Sequence, residues 1–247
     1  MKKYLILSIS IVFLISCNQV QKKNVVKTSK NITISKVLGS PSFDDAKLIL
    51  GDSIIKKEDN YSFSFNVDEY KLGKQTSKNF NFELANSKKG QHIHFIINNG
   101  PYFAKYTEQF TQKLEKGNNV VLAFLSRSYH ESVKNTNAYF FTQIGEGKKI
   151  NLTDEFLFYS RPKGIYEGEA TKKLLLDFYL INTTISPKGN KVRVTIEGKE
   201  FLIDEWLPYY IEGLPKGEIS IKLELINPEG VLIKSPFNPS IRKVTLK

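Results

Sequence analysis

Gly90-Gln91-His92-Ile93-His94-Phe95-Ile96-Ile97 lies over Gly189-Asn190-Lys191-Val192-Arg193-Val194-Thr195-Ile196. Each segment opens on a glycine and then alternates, with Ile93, Phe95 and Ile97 answering Val192, Val194 and Ile196. Alternation with a period of two is the pattern of a strand with one buried face. The pairing is part of a longer internal repeat. Phe82-Glu83-Leu84 matches Phe178-Tyr179-Leu180, and Leu114-Glu115-Lys116-Gly117 matches Leu214-Pro215-Lys216-Gly217. Beyond these, Val121, Ala123 and Leu125 lie over Ile221, Leu223 and Leu225. The offset is 96 residues at the Phe82 block, 99 at the Gly90 block and 100 at the last two. The order and spacing of four blocks point to duplication of one unit.

Strand-like runs recur between Gly, Asn, Lys and Pro clusters: Tyr61–Val67, His92–Ile97, Asn119–Leu125, Leu174–Ile181, Lys191–Glu197 and Ile219–Ile226. Many short strands with few helical stretches read as all-β. The expected fold is therefore two immunoglobulin-like β-sandwich units, over 33–147 and 173–247. Residues 148–172 connect them. The second unit is short for a free-standing sandwich, so it is expected to borrow a strand from that connection or to pack firmly on the first unit.

The N-terminus reads differently. Met1-Lys2-Lys3 is followed by an apolar run from Tyr4 to Ile15 and then Ser16-Cys17. The run is shorter than the roughly 20 residues a membrane-spanning helix needs and has the length of a secretory signal core. Leu14-Ile15-Ser16-Cys17 resembles a lipobox. Residues 1–16 are thus expected to be a lipoprotein signal peptide, and Cys17, the single cysteine of the chain, the acylated first residue of the mature protein. Residues 17–32 are polar and aperiodic and read as a flexible tether. Cleavage removes Lys2 and Lys3, so the formal charge falls from +11 to +9. Only four of the 36 basic residues are arginine, and the lysines are dispersed. That pattern describes a lysine-rich surface rather than a nucleic-acid site.

Three histidines, His92, His94 and His130, all fall in the first unit. His92 and His94 share a strand face and point away from the core. The second repeat keeps the core pattern but places Lys191 and Arg193 at the pair and Gly230 opposite His130. The fold does not require these histidines. A His-x-His pair joined by a third imidazole can hold Zn or Cu, with Gln91, Glu131 or Tyr129 as supporting groups. The other reading is three ordinary polar residues on a solvated face. A second constellation is Ser126-Arg127-Ser128-Tyr129, at the end of an apolar strand, with Ser160, Arg161 and Lys163 in a similar setting. Arginine forks and hydroxyls suit an anionic or phosphorylated peptide or polymer. Catalytic patterns are absent: no Gly-x-Ser-x-Gly elbow, no phosphate loop and no His-Glu-x-x-His.

Gly90 to His94, Leu125 to Ser132, Leu157 to Gly164 and Leu176 to Leu180 together resemble a family of Bacteroidetes envelope lipoproteins commonly labelled phosphopeptide-binding proteins. The resemblance spans nearly the whole mature chain. It implies a lipoprotein with two β units and supplies no catalytic residues. The absence of an acidic cluster in Asn18–Lys23 implies, within that group, an outer-membrane protein facing the periplasm. The expectation is a non-enzymatic binding or structural module held to a membrane by lipid, without a nucleic-acid partner. A Zn- or Cu-binding protein is the alternative, and an envelope hydrolase comes third.

Overall fold

A computed structural model describes residues 31–77 and 83–247. Among the described residues, seventeen strands and one short 3-10 turn (Gly168–Thr171) make an all-β protein of two immunoglobulin-like sandwiches. The strands form where the sequence alternates. β5 (His92–Ile97), β8 (Asn119–Ser126), β12 (Lys173–Ile181), β13 (Lys191–Ile196) and β16 (Gly217–Ile226) cover the expected runs within two residues.

In the first unit, one sheet has the order β2 (Lys47–Leu50), β4 (Asn60–Asp68), β3 (Ile55–Lys57), with β7 (Gln109–Lys113) also paired to β4. The facing sheet runs β6 (Phe103–Lys105), β5, β8, β9 (Tyr139–Ile144). Phe63, Phe65, Ile93, Phe95, Val121, Ala123 and Leu125 fill the space between them. The second unit repeats the plan. One sheet runs β1 (Thr33–Lys36), β15 (Tyr209–Glu212), β12, β10 (Phe156–Arg161), and the other runs β11 (Gly164–Tyr166), β17 (Ser240–Leu246), β16, β13, β14 (Lys199–Ile203). Leu174, Leu176, Phe178, Val192, Val194, Ile221 and Leu223 form its core.

The duplication holds at the level of register. Ile93 pairs with Leu125 in the first unit and Val192 with Leu225 in the second. Val121 pairs with Thr142, and Ile221 with Arg242. The turn after β8 closes with His130 N–H on the Arg127 carbonyl, and the turn after β16 with Gly230 N–H on the Asn227 carbonyl, both at 2.9 Å.

Two expectations are corrected. Phe82 lies outside the described residues, and Glu83 and Leu84 belong to no strand, whereas Phe178–Leu180 sits within β12. The true counterpart of β12 is β4, because each pairs with the strand that precedes the Leu-x-Lys-Gly turn. Residues 33–36 do not join the first unit: β1 pairs with β15 at the edge of the second. Residues 148–172, read as the connection between units, supply the second unit with strands, as one of the two expectations had it: β10 pairs with β12, and β11 pairs in parallel with β17.

The two units share a third apolar cluster. Ile96, Tyr102, Val120, Leu122 and Phe124 from the outer face of the β5–β8 sheet meet Phe156, Phe158, Tyr179 and Ile181 from the outer face of the β10–β12 sheet. Strands at this junction are buried on both faces, which is why β8 and β12 read as nearly unbroken apolar runs. The equivalent outer face of the second unit carries Arg193, Lys222 and Glu224, tied together by ion pairs of 2.9 Å. One sheet face in the duplicated plan is covered and the other is charged.

Candidate functional site

His92 and His94 project from the covered face of β5, where both are fully buried against the second unit. They point the same way because they are two residues apart on one strand. The solvated face considered from the sequence is therefore a junction between units. His130 arrives from the turn after β8 with φ of 72°, a left-handed backbone, where the repeat has Gly230 at φ 80°. Such a conformation costs a non-glycine residue about 1–3 kcal/mol.

The three imidazoles converge. His92 Nε2 lies 3.0 Å from His94 Nε2 and 3.1 Å from His130 Nδ1. One nitrogen from each ring falls within 4.8 Å of the others. His92 Nδ1 is 2.8 Å from the Gly90 carbonyl, which can only accept, so the neutral ring turns a lone pair on Nε2 toward the cluster. His94 Nδ1 lies 3.1 Å from Ser160 Oγ, and its Nε2 3.1 Å from Ser126 Oγ. His130 Nδ1 lies 3.1 Å from Tyr102 Oη. The Tyr102 ring stacks on His94 with centroids 3.5 Å apart and planes 9° from parallel.

Burial sets the protonation. It lowers His92 to about 4, opposed by the Gly90 carbonyl and reinforced by the positive charges of Arg161 and Lys163. The same burial and cations hold His94 and His130 well below the ordinary imidazole range. At neutral pH all three rings are uncharged, the form that binds a metal.

The predicted anion-binding residues divide into two groups, and neither is a free surface. Ser126, Ser160, Arg161 and Lys163 gather around the histidines. Arg161 donates to Tyr166 Oη at 3.0 Å and to Tyr102 Oη. Lys163 donates to the Tyr102 carbonyl at 2.7 Å, with Nζ 3.6 Å from the Tyr102 ring centre. Arg127, Ser128 and Tyr129 belong elsewhere. Arg127 is buried, donating to the Pro41 and Ser132 carbonyls and pairing with Glu131 at 3.0 Å. Ser128 N–H donates to Thr76 Oγ1, and Tyr129 to Ser40. An exposed anion cradle is thus corrected to internal fastening, because the arginine forks are engaged by carbonyls and tyrosines the fold brings to them.

The expected supporting groups are also replaced. Gln91 bonds Thr76 and the Lys71 carbonyl, and Glu131 bonds Ser40 and Arg127. Gly90, Tyr102, Ser126 and Ser160 take the supporting role. Tyr102 was legible in part: it lies two residues before Ala104, the partner of His94 across β5 and β6.

No family model matches the chain, and no curated protein matches it. Among solved structures, the fibronectin(III)-like modules of Clostridium thermocellum CbhA align with 13% identity over 88% of this chain and 94% of theirs, at a TM-score of 0.30. The chicken CNTN1 FN1–FN3 domains align with 11% identity over 84% and 68%, at 0.25. A Bacteroides ovatus SGBP-B in complex with a mixed-linkage heptasaccharide aligns with 11% identity over 88% and 47%, at 0.23.

Proposed function

We propose that this chain is a non-enzymatic binding and structural module of the cell envelope, and that His92, His94 and His130 hold a transition metal, Zn or Cu. The convergence of three neutral imidazole nitrogens carries the reading. An ion bonded to each at about 2.0–2.1 Å in a tetrahedral arrangement spaces the nitrogens roughly 3.3–3.4 Å apart. Two of the spacings here are 3.0 and 3.1 Å, and the third lies within 4.8 Å, so His94 and His130 close slightly on the ion when it binds. His92 and His94 are each anchored through Nδ1, by Gly90 and Ser160, as ligating histidines are. The left-handed backbone at His130 adds a second, independent reason, since the repeat shows that glycine serves the turn alone. The non-enzymatic part is supported by the two close Ser–His pairs at the site, Ser126–His94 and Ser160–His94. All three residues are fully buried, so no substrate can reach either hydroxyl.

Metal analysis of protein purified without a histidine tag tests this reading. Wild type is expected to hold close to one equivalent of metal. His130→Gly is the informative variant, because glycine suits the turn and relieves the backbone. It is expected to fold with stability within about 1 kcal/mol of wild type while losing the metal. Wild-type protein that takes up no metal on reconstitution overturns the assignment.

Residues 1–30, including Cys17, lie outside the described residues. Among the described residues no helix is long and apolar enough to cross a membrane. The proposal places the protein at the outer membrane through a lipid on Cys17, facing the periplasm. Acyl chains would anchor it with about 0.8 kcal/mol per buried CH₂. Cys17→Ser is expected to leave an unprocessed precursor or a soluble product. A mature Cys17→Ser protein that still sediments with membranes contradicts the anchor.

A further inference from the structure

Resting on the metal reading above, we infer that the site at His92, His94 and His130 selects a monovalent ion, Cu(I), over the dications Zn²⁺ and Cu²⁺. The observation is the sign of the surrounding charge. Arg161, the last residue of β10, and Lys163, two residues on, close on Tyr102, whose hydroxyl touches His130 and whose ring covers His94. Arg242 stands behind them, donating to the Asn99 and Gly100 carbonyls at 2.9 and 2.6 Å. Among the described residues no carboxylate touches the three imidazoles. Glu131, next to His130 in sequence, faces Arg127 and Ser40 instead.

An ion placed here enters a largely buried site, with His92 and His94 fully buried and His130 half-buried, beside the cations Arg161 and Lys163. The cost of desolvating an ion rises with the square of its charge, and its repulsion from fixed cations rises linearly. A dication therefore meets about four times the desolvation cost and twice the repulsion of a monocation. Ligand charge points the same way. Structural Zn²⁺ sites commonly include thiolate or carboxylate that offsets the ion's charge. The site offers three neutral nitrogens, and its other polar neighbours are the hydroxyls of Tyr102, Ser126 and Ser160. Three imidazoles also serve Zn²⁺ when water completes the set, so the surrounding cations carry the selectivity.

The test is a pair of chelator competitions on the full mature chain, with Cu(I) under anaerobic conditions and with Zn(II), in wild type and in Lys163→Gln. Wild type is expected to bind one Cu(I) tightly and Zn(II) at least a hundredfold more weakly. Removing the Lys163 charge should strengthen both, and the fold-gain for Zn(II) should be about the square of that for Cu(I), because Coulomb energy is linear in ion charge. Lys163→Met gives the same comparison if glutamine disturbs packing at Tyr102. Zn(II) bound as tightly as Cu(I) overturns the selectivity and leaves the metal reading standing, as does an equal gain for both ions. Binding of neither ion removes the metal reading itself. Tight Zn(II) binding that disappears in Tyr102→Phe also overturns the inference, since it makes the phenol an anionic ligand.

Discussion

Acidifying the metal-free protein from pH 7 to pH 5 is expected to remove about 6 kcal/mol of its stability. The unfolded chain takes up protons on its histidines from about pH 6.5 downward. The folded site does not, because burial holds His92 at about 4 and keeps His94 and His130 well below the ordinary value. The unfolded state then binds more protons, so stability is complete above about pH 6.5 and falls as the pH drops toward 4. Each group contributes about 1.4 kcal/mol per pH unit within that window, and three groups acting together approach three times that slope. Between pH 6.5 and pH 5 the three together cost about 6 kcal/mol, which exceeds total stability at the low end of the usual range of about 5–15 kcal/mol and removes a large part of it elsewhere. Urea midpoints measured at pH 7.5, 6 and 5 check this. A midpoint unchanged between pH 6.5 and 5 would show that the three rings protonate in place and are not sealed between the units.

Replacing Phe158 with alanine is expected to cost about 3–5 kcal/mol, the range for deleting a fully buried phenylalanine. Phe158 is fully buried, with Phe141 at 5.7 Å, Phe156 at 5.8 Å and Phe237 at 6.0 Å between ring centres. Phe141 belongs to the first unit and the other two to the second, so the deletion opens the shared cluster rather than either private core. Both units should lose stability together, seen as one transition at lower denaturant for probes in each. A loss under about 1 kcal/mol, or a transition lowered in one unit alone, would show that the outer sheet faces contribute little. The neighbouring Leu157 turns the other way, into the second unit's own core, and provides the contrasting variant.

The parts of this architecture that alternate were readable from the residues. β5 and β13 announce themselves because each has one face in its own core and a different environment on the other. β10 was taken for connection because Phe156-Leu157-Phe158-Tyr159 is buried on both sides and shows no period. β1 escaped notice for the opposite reason: three of its four residues are exposed, and only Ile34 is half-buried. At the site, strand geometry sufficed to align His92 with His94, and the repeat singled out His130. The cover over them was not readable, because part of it comes from far along the chain, as with Ser160, 66 residues beyond His94, and the nearer Tyr102 is brought over His94 only by the fold. The arginines were misjudged for a related reason. Arg127 reaches the Pro41 carbonyl, 86 residues away in sequence, and nothing local to the arginine reveals that contact.

The pairing of β1 with β15 decides how a mechanical load enters the molecule. Ile32 is fully buried in the second unit's core, and its carbonyl accepts from Lys199 at 2.7 Å. Gly213, at φ 75°, lies so close to Asn31 that a Cβ would come within 2.1 Å of its carbonyl oxygen. The chain enters the first unit only after leaving this clamp. Tension on any segment preceding Asn31 is therefore borne first by the second unit, although the first unit comes earlier in the sequence. The clamp works as a strain relief: a pull reaches the first sandwich, with its three histidines, only after β1 has been torn from β15. Mechanical unfolding with a handle at the N-terminus should accordingly show a small early extension, the length of the freed strand and linker, before either sandwich gives way.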